Sequence, residues 1–345
     1  MSNLTDSSLQ TDPKQAPSVA NGTSATKQIN ASLHTQLARQ KQLDWLFVNT
    51  TKFFAFMVLL TLAGILISLF VGALPSLKAF GLGFYTTQEW DTGQQIFGAL
   101  APIYGTVVTS VIAILIAVPI SFGIAVFLTE LCPAWLKKPL GIAVELLAGI
   151  PSIIYGMWGF FVFAPWFAEH IQPFLIDKFG NVPVIGKLFQ GMPLGFGLFT
   201  ASLILAIMII PFIASVMRDV FSVTPKMLKE SAYGLGSTTW EVVRHVVLPY
   251  TKAGVVGAVI LGLGRALGET MAVTFVIGNA FNITPSLFRP GVSITSALAN
   301  GFAESDGLLQ SSLLHLGFLL FVITFVVLVL SKLLLARLDR NQGTK

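Results

Sequence analysis

Charge is what this sequence has least of. Only 11% of its 345 residues are Asp, Glu, Lys or Arg, and 54% are hydrophobic, whereas a soluble domain carries about 25% charged residues. With a mean hydropathy of +0.78, the chain reads as a polytopic membrane protein, not a soluble globule. Cysteine is nearly missing. The single Cys132 excludes an internal disulfide framework, and no Cys or His pair has ligand spacing, which argues against a metal site. The four histidines, His34, His170, His245 and His315, lie far apart and form no catalytic grouping. An ATP site is lacking too. The nearest phosphate-loop match, Gly180 to Lys187, has five residues between its glycines instead of four, and Leu188 follows where Ser or Thr is needed. No cofactor and no enzymatic activity are therefore expected of this chain. The pI near 9.3 does not point to nucleic acid, because the basic residues lie in short segments between apolar runs, as membrane topology requires.

What is present is a set of long apolar runs behind a polar start. Residues 1–45 are rich in Ser, Thr, Gln, Asn and Ala and cannot bury enough surface to offset ordering entropy, so a disordered cytoplasmic tail is expected there. It does not resemble a signal peptide, and the first apolar stretch, near Leu46, is expected to act as an uncleaved anchor. Residues 46–340 then form the membrane domain. Crossing the hydrocarbon takes roughly 20 apolar residues, and six spans qualify, near 52–74, 104–128, 139–163, 198–217, 253–277 and 314–336. The expected fold class is thus an all-α, six-helix inner-membrane bundle. Pro119, Pro151 and Pro211 fall inside the second, third and fourth spans, where kinks are expected.

Lys and Arg give the orientation. Five lie in the N-terminal segment up to Lys52, two in the second loop, five in the fourth and four in the tail, against four on the other side: Lys78, Lys178, Lys187 and Arg289. That bias puts both termini and the loop 218–250 in the cytoplasm. The outer loops, near 75–103 and 164–197, carry Phe84, Tyr85, Trp90, Trp166 and Phe174. They read either as interfacial helices on the lipid headgroups or as a docking surface for an external partner.

The loop 218–250 reads as two short helices with a turn. Thr224 and Pro225 give a start, N-cap then first helical residue. Gly234 and Gly236 give a stop. Thr238 and Glu241 have capping-box spacing, and Pro249 closes the second helix. Met227, Leu228 and Tyr233 are expected to pack inward, with Lys226, Lys229 and Glu230 facing water or a partner. The residues Glu230, Ser231 and Ala232, then Gly236, Val246, Leu248 and Pro249 resemble the EAA loop of ABC importer permeases, which has the pattern E-A-A, three residues, G, nine residues, I, one residue, L-P. Three stretches, ELLAGIPSIIYGMWG (145–159), VTPKMLKESAYGLGSTTWEVVRHVVLPYT (223–251) and LGLGRALGETMAV (261–273), are similar to the permeases of phosphate-specific ABC importers, over roughly residues 50–340. The resemblance implies a MetI-like, type I importer fold. It also implies a second permease subunit, two cytoplasmic ATPase subunits that hold ATP and Mg, and a periplasmic phosphate-binding protein. Glu230 would contact the ATPase, and Gly236 would be the point where only a bare backbone fits. Sulfate or molybdate as cargo, or a gradient-driven secondary transporter, are the alternatives.

The fifth run contains Arg265 and Glu269. Arg265 lies about 18 Å into the span at 1.5 Å per residue, and each charge costs about 2.5–3.5 kcal/mol at the centre of a bilayer. An exposed i, i+4 pair returns only a few tenths of a kcal/mol, so this face must look into protein or a wet cavity. Small residues agree: Gly254, Ala258 and Gly262 are spaced by four, as are Gly264 and Gly268, which lets helices approach closely. Arg265 is expected to meet phosphate oxygens along a substrate path, or else the pair fixes helix register. Glu269 either neutralises Arg265 or accepts the proton that hydrogen phosphate carries and sulfate lacks. Glu145 is a third intramembrane acid and a further path residue, or else it reaches the boundary or pairs with a base from another helix. Ser152 and Tyr155 could hydrogen-bond across the path.

Overall fold

The computed structural model describes residues 20–180, 182–183 and 186–340. These residues fall into two units, one up to Ile65 and one from Leu66 onward. Most of the first unit is part of a single helix, α1 (Ala20–Phe80). This corrects the disordered tail expected over 1–45: residues 20–45 are helical, while 1–19 lie outside the described residues. Propagation supplies the reason. Once the apolar segment beyond Leu46 has formed turns, each further residue adds one hydrogen bond without a new nucleation cost.

From the C-terminal end of α1 the chain continues through α2 (Gly83–Thr86) and a hairpin, β1 (Trp90–Asp91) and β2 (Ile96–Phe97), with Trp90 opposite Phe97. Helix α3 (Leu100–Val126) ends in a π turn at Phe127–Leu131. Next come α4 (Ala134–Ala148) and α5 (Ser152–Trp158), which runs through a second π turn into α6 (Ala164–His170), then α7 (Gln172–Phe179) and α8 (Gly186–Phe189). Helix α9 (Leu198–Ser222) is followed by α10 (Lys226–Gly234), α11 (Thr239–Val242) and α12 (Leu248–Gly268). The remainder is α13 (Met271–Ile277), α14 (Ile294–Gly301) and α15 (Gly307–Arg340).

Among the described residues, five helices are long and apolar enough to cross a membrane: Leu43–Phe80, Leu100–Leu131, Leu198–Ser222, Thr239–Gly268 and Gly307–Arg337. The third expected span is instead a broken pair. Its halves meet at 84°, because Pro151 has no N–H to donate and its ring opposes a helical residue before it. Pro119 and Pro211, by contrast, stay inside α3 and α9. The Ser121 hydroxyl donates to the Ile210 carbonyl at 3.0 Å and ties these two helices together.

The core centres on α9. Ile204, Leu205, Met208, Ile209, Ile213 and Met217 are fully buried, and Ala113, Ala117 and Ala125 of α3 join them in one cluster. Helix α12 approaches through its first small face. A Cβ on Gly254 would lie 2.5 Å from Val220, and one on Gly262 would lie 2.5 Å from Ile213, so larger residues there would push the helices apart. The second small face is looser, since Gly268 borders open space.

Outer-loop aromatics divide between core and surface. Phe84 and Phe97 are buried and Trp90 stacks on Phe281 at 4.8 Å, whereas Trp166 and Phe174 stay exposed on α6 and α7. Nearby, the Ser311 hydroxyl enters the ladder of α1 itself. It accepts from Ser76 N at 2.9 Å and donates to Gly72 O at 2.8 Å, as side chains do at a helix deformation. Buried His315 bridges Ser76 Oγ at 3.2 Å and the Tyr85 hydroxyl at 2.9 Å, fastening α15 to the C-terminal end of α1 and to α2.

Candidate functional site

Arg265 and Glu269 do not form the expected helical pair. Helix α12 stops at Gly268, and Glu269 is extended at φ −69° and ψ 126°. The carboxylate turns forward and accepts from Ala272 N at 3.3 Å, while the Thr295 hydroxyl donates to the Glu269 carbonyl at 2.7 Å. Ala272 N and the Glu269 carbonyl, both at the break, therefore find protein partners, as non-helical backbone at membrane depth requires. The fifth span expected over 253–277 is thus split, with the remaining turns in α13. Arg265, partly exposed, lies over the Phe212 ring at 5.2 Å from its centroid, a cation–π contact that holds the guanidinium without neutralising it. The Tyr155 hydroxyl donates to Leu147 O at 3.0 Å. Neither Arg265 nor Glu269 belongs to any ion pair among the described residues.

Glu145 has a partner from another helix. Its carboxylate lies 2.6 Å from Arg218, which also meets Asp219 at 2.7 Å. Gly141 makes room for this contact, since a Cβ there would come 2.8 Å from the guanidinium. Glu145 is half exposed and its charge is already answered, so its place is an α4–α9 clamp remote from Arg265 in sequence and bonding. Lys229 departs from expectation in the same way. It reaches Glu130 in the π turn below α3 at 2.5 Å, with 16% and 6% of the two side chains exposed.

The hairpin follows the sequence at its turn and departs from it at both ends. Pro225, not Thr224, occupies the cap of α10. The Thr224 hydroxyl is buried without a partner. Helix α10 ends with Ser237 N bonded to Ala232 O at 3.2 Å, a Schellman closure that holds Gly236 at φ +87°. Thr238 and Glu241 form the capping box. Pro249 does not close the second helix. It lies at the start of α12, directly after the π turn Val243–Val247, and Thr239–Gly268 runs through it as one helix, a π turn being one of the places where a helix absorbs a local break in its ladder. Met227, Leu228 and Tyr233 do not pack inward. They are exposed, with Leu235 and Trp240 beside them, on the same surface as Glu230, Ser231 and Gly236, while Ala232 and Leu248 are partly buried. Such an apolar patch on a short hairpin marks an interaction surface. Gly236→Val is expected to cost about 1–2 kcal/mol through the backbone alone, because open space surrounds the missing Cβ. Amide exchange across 232–240 should then quicken about tenfold.

The model of the family described as binding-protein-dependent transport system inner membrane component matches residues 117–340. This chain belongs to that family. Among curated relatives, the permease is 61% identical over 303 residues to "Phosphate transport system permease protein PstC" of Pasteurella multocida, covering 88% of this chain and 95% of the relative. It is 60% identical over 304 residues to the protein of the same name in Haemophilus influenzae, covering 88% and 96%. A solved bacterial ABC transporter involved in the import of the acidic polysaccharide alginate shares the fold, with a TM-score of 0.52 at 17% identity, covering 88% of the permease and 99% of that chain. Within the permease, the residues singled out from sequence therefore gather at three places: the exposed hairpin, the Glu145 clamp, and the break after Arg265. Sequence gave no signal for Arg218, Glu130, Phe212 or Thr295, because each acts across 26 or more residues of chain.

Proposed function

We propose that this permease conducts inorganic phosphate inward as one of two membrane subunits of an ATP-driven importer, with its termini and hairpin in the cytoplasm. The observation that carries the reading is the continuous helix Thr239–Gly268, 30 residues long. One end of it is the EAA-like hairpin; the other carries Arg265 and stops at Glu269. At 1.5 Å per residue it is a rod of about 45 Å, so a push on the hairpin reaches the charged break without passing through a loop. Two ATPase subunits, which hold ATP and Mg, supply the push, and a phosphate-binding protein delivers cargo at the opposite face. Differential affinity of these partners for two states of the bundle then drives alternating access. High identity to proteins named for phosphate transport supports the cargo.

The test is reconstitution of the permease with its second permease, ATPase pair and binding protein in proteoliposomes. Phosphate accumulation is expected only with ATP and loaded binding protein, with sulfate and molybdate failing to compete. Uptake by the permease alone down an ion gradient would overturn the reading in favour of a secondary transporter. Effective competition by molybdate would overturn the cargo.

A further inference from the structure

Five hydroxyl side chains, Thr106, Thr109, Ser110, Ser293 and Thr295, meet Glu269 around one small pocket between α3, the break after α12, and the start of α14. Close approach of the backbone makes it: Gly105 faces the Val292 carbonyl, with no room there for a Cβ. Four of the five hydroxyls are committed. Thr106 donates to Pro102 O at 2.8 Å and accepts from Ile294 N at 2.9 Å. Thr109 donates to Gly105 O at 2.7 Å. Ser293 accepts from Ser296 N at 3.0 Å and pairs with Thr295 at 3.0 Å, and Thr295 donates to the Glu269 carbonyl at 2.7 Å. Ser110 differs. It is 1% exposed and its hydroxyl has no partner.

An orphan hydroxyl in a membrane helix is unexpected, since burying it unpaired costs free energy and a methyl would fit as well. Glu269, partly exposed, also lines the pocket. Glu269 uses one carboxylate oxygen on Ala272 N, and its other oxygen has no partner among the described residues. One group can donate and the other can accept. Hydrogen phosphate offers the complement, an unprotonated oxygen to accept and a P–OH to donate, whereas sulfate has no proton to give. Resting on the phosphate reading above, we propose that Ser110 and Glu269 form a transit site that grips hydrogen phosphate by both kinds of oxygen. The Ser110 hydroxyl donates to a P–O oxygen, and the free Glu269 oxygen accepts from P–OH. The site is too small for a water molecule in this conformation, so the ion enters it when α3 and α12 part during the cycle.

Ser110→Ala in the complete importer, in proteoliposomes with saturating loaded binding protein, decides the matter. Removing an unpartnered hydroxyl should leave the melting temperature unchanged or higher. Binding-protein-stimulated ATP hydrolysis should persist while phosphate moved per ATP falls about tenfold, the value of one hydrogen bond to a charged group. Unchanged uptake, or loss of uptake and ATP hydrolysis together, overturns the assignment. Arg265→Gln measured in parallel separates the two ideas. If it abolishes uptake while Ser110→Ala does not, the path reading stands and this site falls; if neither variant matters, both fall.

Discussion

Arg265→Gln is expected to lower phosphate uptake by about a hundredfold while the importer still assembles. Gln keeps a donor, on a shorter side chain, but loses the charge and the fork that grips two oxygens at once. Hydrogen bonds to charged groups are worth about 1.5–3 kcal/mol each, so losing a bidentate grip on a phosphate oxyanion accounts for about two orders of magnitude. Assembly should survive because Arg265 is held by the Phe212 ring and not by a carboxylate, so its removal leaves no buried anion behind. The measurement is initial uptake of labelled phosphate, with co-purification of the partner subunits as the control. Uptake within twofold of the parent would remove Arg265 from the path. Phe212→Leu should give a milder loss, because the cation–π platform contributes only about 0.5–2 kcal/mol.

Lys229→Met should act in the opposite sense, on stability first. Its amine sits 2.5 Å from Glu130, and 6% of the Glu130 side chain is exposed. Removing the cation alone strands a buried carboxylate, which costs about 3–5 kcal/mol. The expected result is a large drop in melting temperature of the detergent-solubilised permease. Glu130→Gln combined with Lys229→Met should recover most of it, because an apolar or neutral pair avoids the charge that has no partner. Since this contact joins α10 of the hairpin to the π turn under α3, the single variant should also loosen the hairpin, visible as faster amide exchange over 226–234. A single variant as stable as the parent would mean that the pair is solvated and contributes little.

Local chemistry made much of the fold legible. Long apolar runs located the crossing helices, and Thr238 with Glu241 and Gly236 located the turn of the hairpin, because capping and a left-handed backbone depend on residues within a few positions. The small face of Gly254, Ala258 and Gly262 was legible for the same reason. Other features were not. No residue in LGLGRALGETMAV forbids a straight helix, and Gly268 only weakens one. The break exists because Thr295, 26 residues later, takes the Glu269 carbonyl, and because the side chain of Glu269 replaces a lost helical acceptor. Pro151 and Pro249 are the same residue type with opposite outcomes. Pro151 follows a turn and bends its pair by 84°, while Pro249 follows a π turn inside Thr239–Gly268 and is absorbed.

The sequence by itself determined a helical membrane permease with an EAA-like hairpin and a costly arginine in its fifth apolar run, because hydropathy, capping and charge bias are set over a few turns of chain. Only the tertiary structure decided what the charges do. Glu145 went to Arg218 and Lys229 to Glu130, across 73 and 99 positions, and Arg265 was left with an aromatic ring. Pairing between helices depends on which faces meet once the core around α9 has packed, and no periodicity in a single chain encodes that meeting.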